Sequence, residues 1–424
     1  MSTITDPPLF GEQTRLTVAT MSFSGRQLAD FPELVRTAAE VKAAAAAANA
    51  AAGLLEADKA ARITAACHSL AAGEHLDQFP VDAFHGGGGI GLNLNLNEVI
   101  AALAGPDIDP ADDVNLSQST TDVCKAATRL ASHRAAAAFC DALGSLIAAL
   151  DDVASRAEGV ETIARTCLQD GLPVPAGVLY TALAHALRRQ QRRLAESADG
   201  LLQLSLGGTV IGSGAGADPR YRDRVIGALA EETGLSVTLA PDLYDATQYP
   251  DDLARLSGDV VITSHLLAKF AADLRLLSSG PECGLGEITL PVTQAGSSFF
   301  PGKVNPVIPE MVIQCDLLVT GNDATVQRCL GMGELHLNLW EPTMGFLLLD
   351  NLRMLTHAVS RFAAHCVSGI EINRQVCEGY ARATMPSLVR LKDELGYRAV
   401  SDGIKQHGAA GFVQHHQHPT KEQT

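Results

Sequence analysis

The sequence predicts a mainly α protein, and three observations carry that expectation. Aromatic residues make up only 4% of the 424 residues while Ala and Leu dominate, a composition suited to closely packed helices rather than to sheets rich in Val, Tyr and Phe. The run from Lys42 to Ala52 is almost pure alanine, which has the highest helix propensity and lets backbones approach closely. The series Leu253, Leu256, Val260, Leu267, Phe270, Leu274, Leu277 steps by three, four and seven, the seam spacing of a helix in a bundle.

In chain order, Asp30 and Pro32 read as the N-cap and first turn of a helical stretch reaching Ala72. The segment DQFPVDAFHGGGGIGLNLNLNEV reads as a loop. In it Asn93, Asn95 and Asn97 alternate, which predicts a short extended piece before a helix opens near Glu98. From Asp122 to Ser278 the pattern is long-helical, with breaks at Gly171–Gly177, Gly207–Asp218 and Pro241–Pro250. Pro281–Pro309 is too long and too rich in Gly, Ser and Pro for a mere connector and is a functional-loop candidate. Helices over Glu310–Leu330 and Pro342–Cys366 follow, then a small polar region whose end, GFVQHHQHPTKEQT, reads as a frayed tail. The expected partition is an N-terminal, mostly helical domain at 1–120, a central long-helix domain at 121–372 carrying a catalytic loop at 294–310, and a small C-terminal domain at 373–424.

The charge balance of 32 Lys plus Arg against 48 Asp plus Glu gives −16, which argues against nucleic acid or an anionic membrane as partner. No stretch reaches 18 uninterrupted apolar residues and the N-terminus has no signal-like apolar core, so a cytoplasmic location is expected. Nine scattered Cys without a CxxC pair support neither a zinc site nor a disulfide framework. Gly86, Gly88 and Gly91 formally match GxGxxG but lack a βαβ setting, so a dinucleotide site is not assigned. His415, His416 and His418 read as tail rather than as metal ligands, and no metal or organic cofactor is called for.

The segment GSSFFPGKVNPVIPE, from Gly296 to Glu310, is different in kind. It places two hydroxyls together, a fixed positive charge at Lys303 and an amide at Asn305 that can orient a carboxylate. It closely resembles the signature loop GSSxxPxKxNxxxxE of the aspartase/fumarase superfamily. The blocks DQFPVDAFHGGGGIGLNLNLNEVIA, DDVNLSQSTTDV and RTCLQDGLPVPAG resemble further aspartase blocks, and the likeness runs from about Phe10 to about Tyr397. It implies a three-domain helical subunit whose long helices form the core of a homotetramer, with each active site shared between three chains and a small dicarboxylate as substrate.

The resemblance also implies roles. Ser298 matches the mobile-loop serine that serves as general base, and Lys303 and Asn305 match residues holding the carboxylate as it takes up aci-carboxylate charge. Thr166, Ser119 and Thr120 match substrate-binding hydroxyls, with Asn95 and Gln169 in support and Glu310 structural. Three positions around the leaving amine depart from the aspartase pattern: Ile90 for Thr, Thr121 for Asn and Cys167 for His. Gly91 for Ser, Asp113 for His and Lys125 for Pro accompany them. An ammonium needs acceptors around it, and expelled hydroxide needs a proton donor. A leaving group that is already a stable anion needs neither, so the altered pocket points to nitrosuccinate giving fumarate and nitrous acid. The alternatives are an aspartate ammonia-lyase, an argininosuccinate- or adenylosuccinate-type lyase, and a structural tetramer derived from a lyase. Cys167 reads as a small, half-buried thiol, and His85 as either a proton donor or a packing residue.

Overall fold

The computed structural model describes residues 8–294 and 296–417. These form 14 α-helices, and only short pairs of strands accompany them among the described residues. The chain packs as two compact units: Met1–Asp141, Gln190–Ser264 and Leu317–Thr356 in the first, Ala142–Arg189, His265–Asp316 and His357–Thr424 in the second. Five long helices are divided between the two: α5 (Thr120–Arg156), α6 (Val178–Gly200), α9 (Asp251–Leu277), α10 (Val307–Leu330) and α11 (Glu341–His365).

The first unit adds α1 (Glu12–Met21), α2 (Pro32–Ala51), α3 (Ala57–Ala71), α4 (Ile90–Ala104), α7 (Pro219–Thr233) and α8 (Leu243–Gln248). Its core is built around α2, which packs against both α3 and α7. Ala38, Ala39, Ala43, Ala44, Ala45 and Ala48 are all buried, so the helix has no exposed stripe, and its small side chains let a neighbour approach on each side. Leu204, Leu206, Tyr221, Val225 and Leu229 complete the same cluster.

In the second unit a two-stranded antiparallel hairpin, β1 (Glu161–Thr166) and β2 (Gln169–Pro175), precedes α6. Its buried Glu287 receives Arg165 and the hydroxyl of Thr162, the latter at 2.5 Å, which ties the hairpin to the segment after α9. Tyr180, Phe270 and Phe362 stack edge-to-face with centroids 6.0 Å apart. Three helices follow in this unit: α12 (Arg374–Ala381) packs on the hairpin, and α13 (Thr384–Leu395) and α14 (Tyr397–Gln417) pair around Leu388, Leu391, Val400, Phe412 and Val413.

Four local expectations are corrected. Asp30 does not cap α2; its carboxylate accepts from the Gln27 N–H and closes a 3-10 turn, leaving Phe31 at the cap. The helical stretch expected to reach Ala72 breaks into α2 and α3, because Gly53 adopts φ 70° and ends the first helix. The asparagine ladder is not extended: Asn93, Asn95 and Asn97 lie inside α4, which is buried nearly all round, so no polar face is needed to make it helical. The tail is helical as far as Gln417, with Phe412 and Val413 buried; His418 and the residues beyond it lie outside the described residues.

Candidate active site

The long helix α5 begins with a capping box. The Asp122 carboxylate accepts from the Ser119 N–H at 2.9 Å and the Ser119 hydroxyl accepts from the Asp122 N–H at 3.2 Å, satisfying two orphan donors of the first turn. The other Asp122 oxygen accepts from the Gly207 and Thr209 N–H groups at 3.0 and 3.1 Å, which draws that loop to the start of α5. Burial raises the Asp122 carboxyl above its ordinary range, against the opposing pull of these N–H donors. Asp122 was missed as a site-building residue although the spacing Ser119-x-x-Asp122 is a legible capping signal.

Beside this turn lies the four-glycine segment. Gly86, Gly87, Gly88 and Gly89 take φ values of 78°, 64°, 65° and 96°, a left-handed path that other residues resist. A Cβ on Gly89 would stand 2.5 Å from Cys124 Sγ. The segment delivers Ile90 to the first turn of α4 with its side chain 50% exposed. His85 fixes that turn: its Nδ1 lies 2.8 Å from the Asp82 carbonyl and its Nε2 accepts from the Gly91 N–H at 2.9 Å. That pairing requires the neutral imidazole with its proton on Nδ1, and burial lowers its pKa in the same sense. His85 is thus a positioning group, and Gly91 is small because the imidazole occupies its Cβ space, 2.7 Å away at Cδ2.

Together these elements line a cavity of about 260 Å³ with Gly87, Gly88, Ile90, Ser119, Thr120, Thr121, Lys125, Val210, Leu337, Asn338, Leu339 and Pro342. Four residues assigned to substrate binding from sequence, Ile90, Ser119, Thr120 and Thr121, therefore meet at one place, together with Lys125, one of the departures from the aspartase pattern. No acidic side chain is part of the lining. Behind the wall, Asn93 Nδ2 donates to Thr120 Oγ1 at 3.3 Å and to Asn115 Oδ1 at 3.1 Å. Asn115 Oδ1 also accepts from Asn97 Nδ2 at 3.2 Å and from the fully buried Lys42 Nζ at 2.8 Å. Asn95, by contrast, is fully buried and donates to the Gln78 carbonyl at 2.9 Å, so its amide serves the core and it is not part of the cavity lining.

The remaining candidates belong to the second unit. Thr166 and Gln169 pair as the last rung of the hairpin, and Cys167 and Leu168 form its two-residue turn at φ 53° and 60°, a left-handed conformation costly for side chains of this kind. Cys167 is exposed at that turn rather than half-buried. Ser298, Lys303 and Asn305 are exposed on the loop before α10. This loop is closed on itself: the Ser297 N–H donates to the Lys303 carbonyl at 2.9 Å, and the Phe299 and Phe300 N–H groups donate to Ser297 Oγ at 3.2 Å. Lys303 Nζ lies 5.1 Å from the Phe300 ring centre, and Glu310 pairs with Arg275 at 3.5 Å at the base of the loop. Among the described residues no group of His, Cys, Asp and Glu is arranged to hold a metal ion.

A family model described as lyase matches residues 3–321. An aspartate ammonia-lyase of Corynebacterium glutamicum is 40% identical over 406 residues, 92% of this chain and 76% of its own. The fumarate lyase:delta crystallin from Brucella melitensis superposes with a TM-score of 0.89 at 39% identity, covering 95% of this chain and 94% of the other. A class II fumarase from Schistosoma mansoni gives 0.90 at 27% identity over 95% and 89%. The helical fold and its relatives define the class of the protein, an enzyme that is a lyase. The chain belongs to the aspartase/fumarase superfamily.

Proposed function

We propose that this lyase eliminates nitrous acid from nitrosuccinate to give fumarate. The observation that carries the reading is the cavity at the start of α5: hydroxyls, a lysine and the alkyl side chain of Ile90, without a carboxylate. An ammonium there meets the like charge of Lys125 with no carboxylate in the lining to balance it, whereas nitrite is an acceptor throughout and suits both the lysine and the hydroxyls. Ser298 takes the proton from the carbon beside one carboxylate, the C–C double bond forms, and the C–N bond breaks with its electron pair departing on nitrite. Lys303 and Asn305 hold the carboxylate that bears the developing negative charge, and Thr166, Ser119 and Thr120 hold the other, with Gln169 near them. A serine is a weak base at its free pKa, so it works only where loop closure and neighbouring positive charge stabilise the alkoxide.

In this reading the enzyme is a cytoplasmic homotetramer of three-domain subunits, divided near residues 120 and 372, and each site draws its three groups of residues from three chains. Exposure of the hairpin turn and of the 296–305 loop in the single subunit supports it, since such residues await a partner surface. The aspartate ammonia-lyase relatives favour a second reading, deamination of aspartate to fumarate, with Ile90, Thr121 and Cys167 as tolerated variations. The two are separated by following fumarate absorbance with nitrosuccinate, L-aspartate, L-malate and argininosuccinate, with Ser298→Ala as control. Rapid turnover of nitrosuccinate alone is expected, falling by roughly two to four orders of magnitude in Ser298→Ala. Turnover of aspartate with nitrosuccinate untouched would sink the proposal.

A further inference from the structure

We infer that Lys125 determines the leaving group, by holding the oxygens of the departing nitrite; this rests on the nitrosuccinate reading and deepens it. Lys125 stands four residues after Thr121 on α5, one turn along the same face, and both line the cavity. The resembling aspartase block has proline here, which offers neither charge nor donor. The Lys125 side chain is 5% exposed. Its Nζ lies 2.5 Å from Glu341 Oε2 and donates to the Thr247 carbonyl at 2.9 Å. An ammonium has three donors, so one remains for a ligand in the cavity.

The lysine is one end of a buried chain of ion pairs of alternating sign. Glu341, fully buried, also meets Arg129 Nε at 3.3 Å, and Arg129 in turn reaches Asp252 at 3.2 Å, whose side chain is 40% exposed. From cavity to solvent the order is Lys125 positive, Glu341 negative, Arg129 positive, Asp252 negative. One buried carboxylate thus serves two cations, and the lysine is the member of the chain that lines the cavity while the aspartate at the other end is exposed. A departing ammonium would meet like charge at this wall. A nitro group instead gains negative charge as the C–N bond breaks, so its contact with Lys125 strengthens toward the transition state, which is the condition for raising kcat rather than only lowering KM.

The test uses the purified full-length enzyme with Lys125→Met, Lys125→Arg, and a Lys125→Met, Glu341→Gln double variant that avoids leaving a buried carboxylate short of a partner. With nitrosuccinate, Lys125→Met is expected to lower kcat at least about tenfold while KM stays within about twofold, and Lys125→Arg to restore most of the rate. A second readout needs no turnover: sodium nitrite is titrated calorimetrically into enzyme saturated with fumarate. Wild type is expected to bind, and Lys125→Met at least about tenfold more weakly. If wild type leaves nitrosuccinate untouched while nitrite still binds through Lys125, the functional reading falls and the anion pocket stands. Unchanged nitrosuccinate kinetics in Lys125→Met, nitrite binding that is equal in both or absent from wild type, or loss of fumarate binding in place of nitrite binding, each overturns the role given to Lys125. Should Lys125→Met fail to fold, the double variant decides on the same criteria.

Discussion

Asn115 accepts three side-chain donors on one oxygen, from Lys42, Asn93 and Asn97, and so links the core of the first unit to the wall of the cavity through Thr120. Removing it leaves the Lys42 amine, fully buried, without its side-chain acceptor. Asn115→Ala is therefore expected to destabilise the protein by about 1 to 3 kcal/mol, read by urea denaturation, and to weaken substrate binding through the loss of order at Thr120. Sequence alone picked out Ile90, Ser119, Thr120 and Thr121, which do share a cavity, because each sits in a recognisable string. It missed Asn93, Asn97 and Lys42, whose contacts span 18 to 73 residues and have no local signature, and the contacts of Asp122 to Gly207 and Thr209, 85 and 87 residues away, although its capping pair with Ser119 is local. Asn95 was grouped with the site although its amide turns to the Gln78 carbonyl. In a helix, residues 93 and 97 share a face and 95 points away, a distinction that the extended reading of the ladder erased.

Among the elements, the long helices were legible because their seams are long and periodic, and α5, α9, α10 and α11 fall where the pattern places them. The β1–β2 hairpin was not, since its turn is Cys167-Leu168 and carries none of the Asn-Gly chemistry that marks a two-residue turn. The start of α4 was hidden for a related reason: its cap is no local Ser, Thr or Asp but the imidazole of His85, reaching the Gly91 N–H from outside the helix. This cap makes Gly91 and His85 a coupled pair. A Cβ at position 91 would lie 2.7 Å from His85 Cδ2 and 3.0 Å from Val81 Cγ1, so Gly91→Ser should displace the ring. The expected loss is about 1 to 3 kcal/mol in thermal unfolding, together with reduced activity as Ile90 shifts. In a His85→Ala background the clash is relieved, and the serine hydroxyl itself can cap the turn. The double variant should then be markedly more stable than the sum of the two single losses, and simple additivity would show that the contact is not what keeps position 91 small.

At the scale of the whole molecule, the buried ionisable groups set how stability responds to alkali. Burial pulls the Lys42 amine from its ordinary 10.5 down to about 7. Below pH 7 both folded and unfolded chains hold its proton, and the full cost of burying the charge is present. Between that value and 10.5 the unfolded chain keeps a proton that the folded chain has given up, so raising the pH favours the fold. The buried thiols act in the opposite sense. Cys124 and Cys366 are pushed by burial from 9.0 up to about 12, and Cys67 is pushed higher still in the same direction. Above pH 9 the unfolded chain releases these protons while the folded one retains them, so stability falls as pH rises further. The two effects together predict a melting temperature that climbs from pH 7, passes a maximum near pH 9 and then declines. Lys42→Met should remove the climb and leave the decline, because methionine fills a similar space without a proton to lose. A melting curve for wild type that is flat from pH 7 to 9, or a climb that persists in Lys42→Met, would mean that the amine keeps its proton in the folded core through its contact with Asn115.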